Sequence, residues 1–288
     1  MKNLLVTGGT DGIGRAVALH ALAGGDRVIA VGGTRAKGEA FLAAARGAGA
    51  ADRAAFVRAD LRLVSENSRV LDEVRGRFDR LDRLVLCAQR YRTGLGHTAE
   101  GVEQNFALSY LSRFLLSYGL LPQLGRAEGP LVVNVCGTGT PAGRVYWDDP
   151  QFTRGRGGFR ALMQAARATD LLGVGFAGRP DPAGIPYVLF NPDVVRTNLQ
   201  RELGQPWKLL ALTTLALRGK PVATGVLPLL ELLENPPTDR ISAFRGRHRI
   251  DMESPKYARG YDRADAARLH TMTEKLLSSL GRSDLLPG

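Results

Sequence analysis

The chain has only two cysteines, Cys87 and Cys136, and only six lysines behind a net charge of +11. No apolar run is long enough to span a bilayer. Each shortage excludes something. Two cysteines at the ends of separate apolar runs are too few for a disulfide framework or a thiolate metal site, so neither is expected. The longest apolar stretch, Leu209 to Leu217, falls well short of the ~20 residues of a membrane helix, so no membrane span is expected. The chain runs from Lys2 straight into an apolar strand, without the apolar core and small-residue cleavage site of a secretory leader. A cytoplasmic protein is expected. The positive charge is almost all arginine and is scattered, with no basic block and no interleaved aromatics. A nucleic-acid partner is therefore not expected, whereas an anionic small molecule would suit such a field.

What is present is ordinary for a globular chain: 44% hydrophobic and 23% charged residues. Strand-like and helix-like segments alternate from the start. Leu4–Val6, Arg27–Val31, Ala55–Val57, Arg83–Cys87, Leu131–Val135, Tyr187–Asn191 and Ile241–Phe244 read as strands. Ile13–Leu22, Ala36–Ala45, Ser65–Phe78, Val102–Leu121, Phe159–Leu172 and Ala264–Leu280 read as helices, the fourth ending at Pro122. Two further apolar helical segments lie between Pro206 and Leu233, split by Gly219-Lys220-Pro221. The alternation predicts an α/β fold: one Rossmann-type domain over residues 1–288, a doubly wound parallel sheet with helices on both faces. No linker rich in proline, glycine or serine divides it. A substrate lid is expected at about 200–235.

The glycine-rich segment Thr7-Gly8-Gly9-Thr10-Asp11-Gly12-Ile13-Gly14 falls between the first strand and the first helix. In that context glycines allow a tight turn, backbone approach to a diphosphate and close helix–strand packing. The helix N-terminus then offers free N–H groups and the positive end of its dipole to phosphate. NAD-binding folds of this type carry an acid about 20 residues on, to hold the ribose 2′-hydroxyl. Here the second strand ends in Gly32-Gly33-Thr34-Arg35, without an acid. Arg35, with Arg15, could meet a 2′-phosphate. NADP(H) is expected over NAD(H).

This turn resembles the TGxxxGIG pattern of the short-chain dehydrogenase/reductase family, and the resemblance extends along most of the chain. Asp60-Leu61 matches the Asp-Leu/Val that borders the adenine in that family. Cys87-Ala88-Gln89 stands where the family has Asn-Ala-Gly. Glu100 to Phe106 and Phe114-Leu115-Leu116 look like the long helix of its retinol-dehydrogenase-like subgroup. Val132 to Val135 matches the strand before the family's serine. Asn191-Pro192-Asp193-Val194-Val195-Arg196-Thr197 resembles Asn-Pro-Gly-x-Val-x-Thr. The cofactor-binding set implied by the turn and the resemblance is Thr7, Gly8, Thr10, Asp11, Gly12, Ile13, Gly14, Gly33, Arg35, Asp60, Leu61, Cys87, Ala88, Asn191, Pro192 and Thr197.

The family's catalytic tetrad is Asn, Ser, Tyr and Lys, with the tyrosine as acid–base and the lysine lowering its pKa. Carried over position by position, the tetrad falls on Ser109, Gly137, Phe159 and Met163. The residues four after each tyrosine are Leu95, Phe114, Pro122, Pro150, Asn191, Tyr261 and Asp265, so no Tyr-x-x-x-Lys pair exists in any register. Phe159, Leu162, Met163 and Ala166 instead form an apolar helical face. The catalytic residues are thus unassigned. Tyr146, Tyr110, Asn105 and Thr138 are candidate substitutes near the expected cleft. Cys136 as a nucleophile would need a histidine, for which His97 is the candidate.

Two readings of function follow. In one, an oxidoreductase-type enzyme of specialised metabolism acts on a small, apolar molecule by unusual chemistry. Reducing an iminium ion or enone demands less of a local acid than reducing a ketone; a non-redox cyclisation or isomerisation would work by positioning. In the other, the chain is a pseudoenzyme, an NADP-binding sensor or protein partner. The missing lysine and the Cys87-Ala88-Gln89 departure would weaken cofactor contacts, whereas the phosphate-binding turn is complete. A homo-oligomer is expected from the family's habit.

Overall fold

The computed structural model describes residues 1–140, 143–155, 157–180, 184–196 and 203–286. Its core is an eight-stranded sheet in the order β3-β2-β1-β4-β5-β6-β7-β8. The strands are β1 (Asn3–Thr7), β2 (Arg27–Gly32), β3 (Ala54–Arg58), β4 (Arg83–Leu86), β5 (Leu131–Val135), β6 (Tyr187–Asn191), β7 (Ile241–Arg245) and β8 (His248–Arg249). β1 to β7 pair in parallel; only β8, a short edge strand with no clear sequence signal, runs antiparallel to β7.

The central strands are apolar on both faces because both faces are covered. Along β4, Leu84 joins the core on one side of the sheet and Val85 the core on the other. Burying each such side chain contributes about 1.5–3 kcal/mol. One layer holds α1 (Gly12–Ala23), α2 (Arg35–Gly47) and, later in the chain, α10 (Leu227–Glu234). The opposite layer holds α3 (Val64–Arg77), α4 (Gln104–Phe106), α5 (Ser112–Gly119), α7 (Gly158–Gly178) and α11 (Arg263–Ser279).

The predicted elements are all present, with shifted ends. The helix expected from Val102 begins at Gln104, because the buried carboxylate of Glu103 caps it by accepting from the Phe106 N–H at 2.8 Å. Between α4 and α5, residues Ala107–Leu111 form a π-turn. The helix ends at Gly119, and Pro122 does not stop it; Pro122 sits in the first turn of a short α6 (Leu121–Leu124), where proline's missing N–H costs nothing. The segment between β6 and β7 contains α8 (Trp207–Arg218) and α9 (Val222–Gly225) before α10. No described helix is long and apolar enough to cross a membrane.

Candidate functional site

β1 turns to β2 on one side while β4 lies on its other side, so the strand order reverses between β1 and β4. A crevice opens there beyond the C-terminal strand ends. A cavity of about 1050 Å³ fills it. Its walls come from the C-terminal ends of six successive strands and the residues that follow them: Gly8 and Thr10 to Gly14 at β1, Gly32 to Thr34 at β2, Ala59 to Leu63 at β3, Cys87 to Arg92 at β4, Cys136 and Gly137 at β5, and Asn191 to Asp193 at β6.

The turn after β1 has the shape of a phosphate cradle. Gly8 sits at φ +65°, and a Cβ there would come within 2.9 Å of the Ala88 nitrogen. A Cβ on Gly14 would run into the Gly8 carbonyl. Thr7 holds the neighbouring wall from beneath, its hydroxyl accepting from the Ala88 N–H at 3.2 Å. Asp11 caps α1 by accepting from the Gly12 N–H at 2.9 Å, so the dipole end of α1 faces the cavity. These residues fit the diphosphate of a dinucleotide.

Further along the cavity, Asp60 and Leu61 line the wall. Asp60 is gripped by the Arg62 guanidinium, at 2.6 Å between Nη2 and Oδ2, which holds its carboxyl below the usual range. Gly33 and Thr34 also line the cavity, and so do Lys37, Arg58 and Arg69. Arg35 does not: its side chain is exposed and its Nε donates to Glu39 at 2.9 Å, one turn along α2. Arg15 likewise lies outside the lining. The cations lining this end are thus Lys37, which pairs with Asp11, Arg62 and Arg69, which pair with Asp60 and Glu66, and Arg58, none of which the glycine pattern alone singled out. At the other end Cys87, Ala88, Asn191 and Pro192 form the wall; Thr197 lies outside the described residues.

The tetrad positions are dispersed. Gly137 lines the cavity. Ser109 is buried in the π-turn, and its carbonyl accepts from the Thr169 hydroxyl at 2.8 Å. Phe159 and Met163 lie outside the lining, and the Phe159 ring stacks on Trp207 with centroids 4.1 Å apart and planes 5° from parallel.

Of the candidate substitutes, Asn105 alone lines the cavity. It is tied to Glu103 at 3.0 Å and to the Arg92 carbonyl at 3.2 Å. Tyr110 is turned into the core against Thr273 at 2.6 Å, and burial raises its pKa. Thr138 is buried against the Tyr261 hydroxyl at 2.7 Å, behind the cavity wall. Tyr146 packs edge-on against Phe152, under Arg144, also away from the cavity. Burial pushes the Cys136 thiol up to about 12, and His97 Nε2 lies 2.7 Å from the Gln151 carbonyl, so Cys136 is no thiolate and His97 is engaged elsewhere.

Sequence reasoning missed Tyr91 and Arg113. Tyr91 lines the cavity in the segment after β4, and burial raises its pKa, so it is a hydroxyl donor at neutral pH. Arg113, on α5, is buried under the same wall. Its guanidinium donates to the Asn134 side-chain oxygen, to the Val135 carbonyl at 2.9 Å and to the Ala88 carbonyl at 3.0 Å. Its charge acts against burial at Tyr91, Cys87 and Cys136.

Comparison with known proteins agrees with this fold. The model of the short chain dehydrogenase family matches residues 2–148. An uncharacterised oxidoreductase of Saccharomyces cerevisiae, YKL107W, is 28% identical over 70% of this chain and 63% of its own length. Mouse retinol dehydrogenase 13 is 28% identical over 70% of this chain and 61% of its own. The chain thus matches somewhat under two thirds of these relatives. Among solved structures, a short-chain dehydrogenase from Sphingobium yanoikuyae in complex with NADPH superposes with a TM-score of 0.62 at 21% identity, over 95% of this chain and 96% of that one. A short-chain dehydrogenase from Streptomyces avermitilis gives 0.62 at 24% identity, over 97% and 99%. At these identities the superpositions speak to the fold.

Proposed function

Because the chain belongs to the short-chain dehydrogenase family, we propose that it is an NADP(H)-binding oxidoreductase whose acid–base group has moved from the usual helix to the wall after β4. The observation that carries this reading is continuity: one cavity runs from the glycine cradle, past Lys37 and Arg58, to Tyr91, Cys136 and Gly137. A bound reduced nicotinamide would supply a hydride. The chain supplies the rest. Gly8 to Gly14 hold the diphosphate, Lys37 and Arg58 favour a 2′-phosphate, and the Asn191-Pro192 turn closes the nicotinamide end. Tyr91 offers a proton to an oxygen that gains an electron pair, and the buried charge of Arg113 offsets the tyrosinate left behind. Solvent restores that proton. Where the acceptor is an iminium ion, its reduction would require no proton from the chain.

The family's lysine and serine have no equivalent on this wall, so polarised acceptors, enones and iminium ions, are favoured over simple ketones. The withdrawal of Phe159 and Met163 from the cavity favours a second reading, a cofactor-binding sensor without turnover.

The test is NADPH oxidation with panels of cyclic imines and enones, comparing the protein with Tyr91→Phe. Turnover that Tyr91→Phe lowers at least tenfold for enones, with a smaller loss for iminium ions, supports the reading. NADPH binding with no turnover on any acceptor supports the sensor. Turnover unchanged in Tyr91→Phe overturns the assignment of Tyr91.

A further inference from the structure

Helix α8 breaks the usual rule of surface helices. Ala211, Thr214 and Leu215 are half-buried and mark its inner face, and Lys208 is half-buried at the border of that face in the first turn. The outer face is therefore Leu209, Leu210, Leu212 and Leu217, exposed by 63, 60, 43 and 79%, with Thr213 and Ala216 between them. No charged residue stands on that outer arc. At its N-terminal end Trp207 stacks on Phe159, both more than a third exposed. Twelve residues at 1.5 Å each make an apolar rod about 18 Å long. Exposed apolar surface of this extent marks an interaction face.

The charge around it selects the partner. Residues 203–230 contain no aspartate or glutamate. Lys208 and Arg218 mark the two ends of α8, and Lys220 follows one residue beyond Gly219. Arg196 joins the same rim: its N–H donates to the Lys220 carbonyl at 2.9 Å, and its side chain lies beside Gly219. A second copy of the chain would bring this basic rim against itself, within a molecule of net charge +11. An anionic lipid surface would meet it with opposite charge and accept the leucines. Leucines and tryptophan on one face with lysine and arginine at the borders is the pattern of a helix lying in a membrane interface.

We propose that α8, with Trp207 and Phe159 at its head, docks the protein in-plane on an anionic lipid surface, leucines inserted and Arg196, Lys208, Arg218 and Lys220 at headgroup level. This docking would be peripheral and reversible, and it does not depend on cofactor binding or on turnover.

The test uses the full chain with Trp147→Phe, so that Trp207 is the sole emitter. Vesicles are pure phosphatidylcholine, or phosphatidylcholine with about 30% phosphatidylserine. The expected result is co-sedimentation with the anionic vesicles and a blue shift of Trp207 emission, both weakened several-fold by 0.5 M salt. Leu209→Asp/Leu217→Asp, at exposed positions that leave folding intact, should lower partitioning by about tenfold or more. Circular dichroism confirms that this variant is folded, and Lys208→Gln/Arg218→Gln should lose the anionic preference while keeping residual apolar binding. Absence of binding to either vesicle overturns the proposal. So does binding that the double aspartate variant leaves unchanged. Concentration-dependent dimers by light scattering, abolished by the aspartates and accompanied by no vesicle binding, would assign the face to a second copy and equally overturn it.

Discussion

Arg113 holds Asn134: the guanidinium of one donates to the carboxamide oxygen of the other at the end of β5, and no carboxylate joins the pair among the described residues. A buried cation held only by neutral oxygens leaves its charge available to the cavity above it. In water such a charge is screened; beneath a wall of low polarity it acts at several ångströms.

Replacing Arg113 by methionine should leave the Val135 and Ala88 carbonyls and the Asn134 oxygen without their donor. A loss of about 2–4 kcal/mol in urea unfolding is expected, from acceptors left buried and unpaired. Arg113→Lys, which keeps the charge, should lose less. The electrostatic role has its own readout. With fluorotyrosine labels and Tyr91→Phe to assign the signal, the Tyr91 pKa should rise in Arg113→Met and move little in Arg113→Lys. An unmoved pKa in both would reduce Arg113 to a structural clamp.

Restoring the family's pair should fail. Phe159→Tyr with Met163→Lys places the two groups on a face that lies off the cavity, with residue 159 against Trp207. The double variant is expected to gain no ketone reductase activity beyond a few-fold over the parent, measured as NADPH oxidation. A gain of a hundredfold would mean that α7 and α8 rearrange to present these positions to substrate.

Asp170 gives a pH signature. It is buried behind the cavity wall, 3.6 Å from Arg167 and hydrogen-bonded by Thr138, and desolvation outweighs both to raise its pKa to about 7. Its Oδ1 has no hydrogen-bond partner. A carboxyl whose pKa is higher folded than unfolded lets the native state hold a proton that the unfolded state has released. Stability should therefore fall as pH rises through the unfolded carboxyl range, near 4, toward the folded value, and level off above about 7. The drop should be on the order of a few kcal/mol. Urea unfolding between pH 4 and 8 measures it, and Asp170→Asn should flatten this part of the profile. An equal slope in Asp170→Asn would assign the dependence to other groups.

How much of this was legible in the sequence depends on whether the relation is local. The glycine-rich turn is a matter of eight consecutive residues between a strand and a helix, and the structure forms the strand, turn and helix there. The strand sequence of the sheet was legible for the same reason, through alternating patterns and turn residues. The candidate site beyond the cradle was less so. Arg35 and Lys37 are two residues apart on α2, and that offset turns one toward Glu39 in solvent and the other toward Asp11 and the cavity; a spacing rule cannot choose between them. Tyr110 and Ser109 are both buried off the cavity, Tyr110 against Thr273, because tertiary packing of the π-turn decides where they point. Tyr91 and Arg113 are separated by a loop and a helix and share a wall only because β4 and β5 are neighbours. The one hint was an arginine inside the apolar run from Leu111 to Leu116, a place where an unpaired surface charge would not be expected.

Selectivity at the adenosine end can be separated from folding. A Cβ on Gly33 would find only the Ala59 carbonyl, at 3.7 Å, so Gly33→Glu should fold while setting a carboxylate beside Lys37 and Arg58. NADPH binding should weaken by about tenfold or more from like-charge repulsion, while NADH binding changes little. Lys37→Ala and Arg58→Ala should each lower the preference for NADPH over NADH. Equal losses for both cofactors would place the 2′-phosphate elsewhere.

The most direct test of the account is calorimetric titration of the purified protein with NADPH, repeated with Gly14→Asp, whose side chain must displace the Gly8 carbonyl at the floor of the cradle. Micromolar binding by the parent, abolished in a Gly14→Asp protein that remains folded by circular dichroism, is the predicted result. No binding of NADPH by the parent protein would contradict the account, leaving the cavity to some other ligand.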